Sequence, residues 1–183
     1  KVYANRRRAS GPGTWVGVQK SAIVFEATDS HGLPGDLASR HRYVRRGLKH
    51  EITHMVQLLV IGPQNVLSAW PPVWFTEGLA EHVSAGVSSC PAPITTVAAL
   101  DAWFADPDHS RHPLELQDFE DIPANQGCQY YTLFGLVVDF LLDPQGGGRT
   151  GADVVALLLE LAQSHDFAGA FANHMGMSVA TLH

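Results

Sequence analysis

His50 and His54, with Glu51 beside the first of them, are the residues whose types and spacing can do chemistry in this chain. On a helix, four residues advance one turn and about 40° around the axis, so both imidazoles can reach a single ion. Glu51 then projects to the flank, where a carboxylate can take a proton from water. Catalytic zinc takes three protein ligands and keeps a further position open. The third ligand is supplied by Glu77, within Trp74-Phe75-Thr76-Glu77-Gly78-Leu79-Ala80-Glu81. Gly78 and Ala80 remove bulk beside that ligand, which would let its helix approach the histidine helix closely. Glu81, one turn beyond Glu77, is placed to accept a hydrogen bond from a ligand histidine. Zinc lowers the pKa of coordinated water to about 7. With Glu51 as general base, the set describes attack of water on a carbonyl and return of the proton to a leaving amine.

The elements that must hold these residues follow from the surrounding sequence. Short strands are predicted at Lys1–Ala4, Trp15–Gln19 and Ala22–Ala27, with Gly11-Pro12-Gly13 as a break. A long helix from about Asp36 or Ala38 to Ile61 ends at Gly62-Pro63. Leu48, Ile52, Met55 and Leu59 form its apolar stripe, nearly opposite His50 and His54. Pro71-Pro72 opens a second helix, Val73–Ala85, with Phe75, Leu79 and Val83 on its core side. Further helices are expected at Thr95–Ala105, Cys128–Leu142, Ala152–Gln163 and Phe167–Met175, the last with Gly176 just past its end. Residues 106–126 read as an irregular acidic loop. Strands first and helices afterwards make the expected class α+β, mostly α, with a small N-terminal β-sheet. The expected organisation is a single catalytic domain over 1–183, with an N-terminal lobe at 1–62 and a helical lobe at 63–183.

HEITH followed by WFTEGLAEH resembles the gluzincin zinc metallopeptidases, which pair HExxH with a downstream glutamate. The pattern HE-x-TH-xx-Q with a later W-x-x-EG-x-AE is similar to the peptidase MA-like branch and to bacterial collagenase-type catalytic cores. Tyr131–Leu141 resembles that branch's helix, which opens with a tyrosine, and Phe171–Leu182 its closing segment. The resemblance implies a zincin-like fold, Zn2+ as cofactor, and peptide hydrolysis. It also implies His50, His54 and Glu77 as ligands and Glu51 as general base. The aminopeptidase GAMEN-type motif is absent, which favours an endopeptidase acting on a peptide or protein substrate. A donor to the oxyanion is still needed. Tyr131 takes the family-like opening position, and Tyr130 is its competitor. A metal-binding or interaction module without turnover is the alternative, against which the intact Glu51 weighs.

Composition sets outer bounds. Hydrophobic residues make up 45% and charged residues 16%, which is globular rather than disordered. No apolar run reaches the roughly 18 residues of a transmembrane segment. Net charge is −6, yet ten of the twelve Lys and Arg fall in residues 1–49. Without interleaved aromatics that asymmetry does not point to nucleic acid. Arg42, Arg45 and Lys49 read as a solvated face, and His82, His109 and His112 as ordinary surface or loop histidines. Asp101, Asp106, Asp108, Asp118, Glu120 and Asp121 would give the cleft a negative potential that favours basic peptides. Cys90 and Cys128 allow either one disulfide or two free thiols. A bridge would close 38 residues, contribute roughly 4 kcal/mol and indicate an extracytoplasmic or secreted protein.

Overall fold

The computed structural model describes residues 15–19, 22–26, 37–65, 70–84, 94, 96–106, 112–117, 121–122 and 126–182. Among them, strands β1 (Trp15–Gln19) and β2 (Ala22–Glu26) pair antiparallel, with Trp15 opposite Glu26 and Gln19 opposite Ala22. Helices follow as α1 (Leu37–Ile61), α2 (Val73–Ser84), α3 (Val97–Ala105), α4 (Gly127–Leu142), α5 (Gly151–Ser164), α6 (Phe167–Met175) and α7 (Val179–Leu182). A 3-10 turn at Pro113–Glu115 lies in the stretch expected to be irregular.

The α+β expectation does not hold: the described fold is helical. Helices and the short segments between them supply the hydrophobic core, and no sheet of three or more strands occurs among the described residues. The β-branched residues at 15–26 do produce a strand pattern. A two-stranded ribbon, however, cannot form a layer that shields a core face. The strand expected at 1–4 lies outside the described residues.

Helix α2 is the centre of the assembly. It packs against α1 on one side and α4 on another, and residues 73–81 are all buried. Trp74 and Phe75 interlock edge-on with Phe167 and Phe171 of α6, at centroid distances of 5.3–6.2 Å. Its entry is fixed where the Val73 N–H donates to the Gln117 carbonyl at 2.9 Å. Thr150 caps α5 in a reciprocal box with Asp153, and Gly176, at φ 68°, ends α6 in the left-handed conformation expected of it. Gly62, at φ 86°, stops α1. The Asn65 amide then ties the end of α1 to α5 through the carbonyls of Ile61 and Ala162, at 2.9 and 3.1 Å.

Helix α1 is turned relative to expectation. Its buried residues are Gly47, His50, Thr53, His54, Gln57 and Ile61. Of the expected apolar stripe, Ile52 is 44% and Leu59 71% exposed, and Leu48 and Met55 are half-buried. Val83 of α2, expected in the core, is 46% exposed. The polar face is inside because its partners sit on α2, so hydrogen bonds and charge decide the orientation, not the apolar count. Among the described residues no helix is long and apolar enough to cross a membrane.

The tight helix contact is α2 with α4, not α2 with α1. A Cβ on Gly78 would overlap the Phe134 carbonyl oxygen and meet Val138 Cγ2 at 2.8 Å. A Cβ on Gly135 would lie 3.2 Å from Glu81 Cβ. Gly78→Ala gains up to about 1 kcal/mol of helix propensity and incurs about 1–3 kcal/mol of overpacking against backbone. The expected net is a fall in Tm of several degrees, larger than for Gly135→Ala. Thermal melts of the two variants check this, and an unchanged Tm in Gly78→Ala would show that the helices part freely.

Candidate metal centre

His50 and His54 are brought together by one turn of α1, and Glu77 meets them from the second turn of α2. The two Nε2 atoms stand 3.2 Å apart. Glu77 straddles them, with Oε2 at 3.2 Å from His50 Nε2 and Oε1 at 3.4 Å from His54 Nε2. One ligand atom from each residue lies within 4.8 Å of the others, and all three side chains are buried. Around a tetrahedral ion with bonds of about 2.0–2.1 Å, neighbouring ligand atoms are separated by roughly 3.3–3.4 Å. The histidine pair matches that edge, and His50, His54 and Glu77 form a group that could hold a metal ion.

The far side of each imidazole faces an oxygen. His50 Nδ1 lies 3.2 Å from Glu81 Oε1, within ion-pair distance but without the hydrogen-bond geometry expected for that glutamate. His54 Nδ1 lies 2.9 Å from Gln57 Oε1. A proton on each Nδ1 leaves both Nε2 lone pairs facing the Glu77 carboxylate. Three acceptors then converge in a buried space, an arrangement that calls for a cation.

Protons can supply that positive charge when no ion is bound. Burial alone would lower the His50 pKa, but hydrogen bonds and charge from Glu77 and Glu81 outweigh it and push His50 up to about 10. His54 is raised in the same way, with burial opposed mainly by the charge and hydrogen bond of Glu77. For Glu77, burial would raise the pKa, yet the two imidazoles bring it below the ordinary carboxylate range. Two imidazolium ions against Glu77 and Glu81 are neutral overall, as are a divalent ion and two neutral imidazoles. A metal ion therefore exchanges for two protons at constant charge.

Glu51 lies on α1 outside the ligand group and is half-buried. Tyr131 is half-buried at the start of α4, and its ring stacks on His50, with centroids 6.3 Å apart and planes at 26°. Tyr130 is fully buried instead, edge-on to Trp103 at 5.2 Å and beside Phe134. His82 is exposed and hydrogen-bonded to Asp139 at 2.6 Å. His112 caps the 3-10 turn through Nδ1 and stacks on Phe104. Asp101 and Asp106 are exposed, and Asp121 accepts from the Gln117 N–H. Asp108, His109, Asp118 and Glu120 lie outside the described residues. So does Cys90, and with it the choice between a bridge and free thiols for Cys128, the second residue of α4. The sequence reading gave Gln57 no role, although its place three residues after His54 on the same face was a usable signal. No family model matches this sequence, and no curated protein or solved structure matches it.

The chain is expected to bind one divalent transition metal, with His50→Ala, His54→Ala and Glu77→Ala each weakening binding beyond the roughly 10–100-fold typical of outer partners. Full occupancy by elemental analysis in all three variants would overturn the assignment. Proton linkage gives an independent check. The raised histidines contribute stability to the metal-free fold that is full below their ordinary 6.5 and lost as pH rises, for His50 through about 10. The lowered Glu77 contributes above its ordinary 4.5 and loses that contribution as pH falls. The metal-free cluster is thus most stabilising between about pH 4.5 and 6.5. Metal binding at pH 7 should release at least about one proton, from His50, read by calorimetry in buffers of different ionisation enthalpy. Release of none would show that the imidazoles are already neutral.

Proposed function

We propose that this chain is a zinc-dependent hydrolase of peptide bonds, of the gluzincin kind its motifs resemble, acting as an endopeptidase on a peptide or protein. Two imidazoles and a carboxylate are a donor set suited to zinc with an open position. The observation that carries the reading is the buried convergence of His50, His54 and Glu77 with Glu51 left out of the ligand group. A purely structural site has no use for that fourth group.

Bound there, zinc would supply a Lewis acid that polarises a carbonyl and acidifies water. The chain's own residues do the rest. Glu51 takes one proton onto its carboxylate as water oxygen bonds to the scissile carbon, then returns it to the leaving nitrogen as the C–N bond breaks. Glu81 and Gln57 keep the ligand rings oriented. Tyr131 offers its hydroxyl to the carbonyl oxygen as negative charge develops there. The stacking of its ring on His50 supports that role. The enclosure of Tyr130 by Trp103 and Phe134 argues against the neighbour.

A broad peptide-library digest with the zinc-loaded chain tests the proposal. Glu51→Gln should keep zinc and fold while turnover falls at least about 10²-fold. Zinc binding with no hydrolysis of any peptide would instead favour a metal-binding module. Hydrolysis at wild-type rates in Glu51→Gln would remove Glu51 from the base role.

The tyrosine pair separates the two hydroxyls. Tyr131→Phe should lower kcat on the order of 10- to 10³-fold with little change in KM, and Tyr130→Phe should leave kcat unchanged. The reverse pattern in steady-state kinetics would move the donor one residue back.

A further inference from the structure

We infer that Gln57 is a positioning residue for the metal centre: it sets the tautomer of His54 and ties that ligand to the helix carrying Glu77. The inference rests on the metal-centre reading above. Gln57 is among the most completely buried polar side chains, at 1% exposure. Its two amide atoms are used differently. Nε2 donates to the Thr76 carbonyl at 3.1 Å, and Oε1 faces His54 Nδ1 at 2.9 Å. A backbone carbonyl only accepts, so the amide group turned toward Thr76 must be the NH2. The oxygen is therefore the atom that meets His54.

An oxygen acceptor at that distance requires the proton of a neutral His54 to sit on Nδ1. Nε2 is then left as the lone-pair donor toward Glu77 and His50. The amide does not ionise, so this instruction is the same at any pH. Thr76 immediately precedes Glu77 on α2, so one side chain links the carrier of the second ligand to the backbone beside the third. Glu81 approaches His50 Nδ1 at 3.2 Å as an ion-pair partner without hydrogen-bond geometry, so Gln57 is the better placed of the two to fix a tautomer.

The test uses the full chain with Gln57→Leu and Gln57→Glu. Zinc affinity is measured by chelator competition, ligand geometry by the visible spectrum of the Co2+-loaded protein, and fold by melting of the chelated chain. Both variants lose the donation to Thr76, and only Gln57→Glu keeps an acceptor for Nδ1–H. Gln57→Leu should weaken zinc binding about 10–100-fold and alter the Co2+ spectrum. Gln57→Glu should bind zinc clearly more tightly than Gln57→Leu. Equal affinity in the two variants would leave Gln57 only a helix tie and overturn the inference, as would wild-type affinity in Gln57→Leu. If the wild-type chain holds no zinc, the metal-centre reading falls and the inference with it.

Discussion

With both imidazole protons on Nδ1, two Nε2 lone pairs and the Glu77 carboxylate face one another at 3.2–3.4 Å in a buried pocket, and positive charge among them relieves the repulsion. Much of the described structure serves that constraint. It turns α1 so that its polar residues point inward, and it puts two glutamates on the inner face of α2. It also gives each imidazole an oxygen behind it. The charge can be carried by protons or by an ion, and the surroundings are neutral in either case. A single cluster is thereby compatible with the fold in two chemical states.

Helix α2 carries the constraint to the rest of the molecule. Glu77 and Glu81 face α1, whereas Trp74 and Phe75 lock into the aromatic rings of α6. Gly78 and Gly135 bring α4 almost into backbone contact. Any sideways shift of α2 would therefore move the carboxylates relative to the imidazoles by the same amount. Close packing of this kind transmits displacement instead of absorbing it. Tyr131 rides on α4, so the same contact also sets its distance from His50.

The group that could hold a metal ion was legible in the sequence because the spacing of its histidines is a local property of helices. His50 and His54 fall on one face whatever surrounds them, and Glu77 is the acidic residue at a workable separation. Helix ends were legible for the same reason, at Gly62 and Gly176. The facing of α1 was not. Counting apolar residues assigned Ile52 and Leu59 to the core, but burial is decided by partners on α2, far along the chain. Gly78 was recognised as a close-approach residue, yet its neighbour proved to be α4, which only tertiary structure can specify. Among the described residues the expected sheet is only a two-stranded ribbon, because strand pattern alone does not supply partners that would make a layer. Gln57 closed the quoted HE-x-TH-xx-Q pattern but was given no role, since a glutamine has no charge to mark it and both ends of its amide must be seen.

The candidate ligands also lie close together along the chain, Glu77 being 27 positions after His50. A seated ion would close that segment as a staple does, and a loop of such length corresponds to roughly 3–4 kcal/mol in the cross-link entropy model. The staple spans the turn between α1 and α2 and leaves the α5–α6 half untouched. Loss of the ion would thus loosen one end of the molecule while the other kept its packing. Resistance to unfolding would then be set region by region, with the ion governing the part that holds His50, His54 and Glu77.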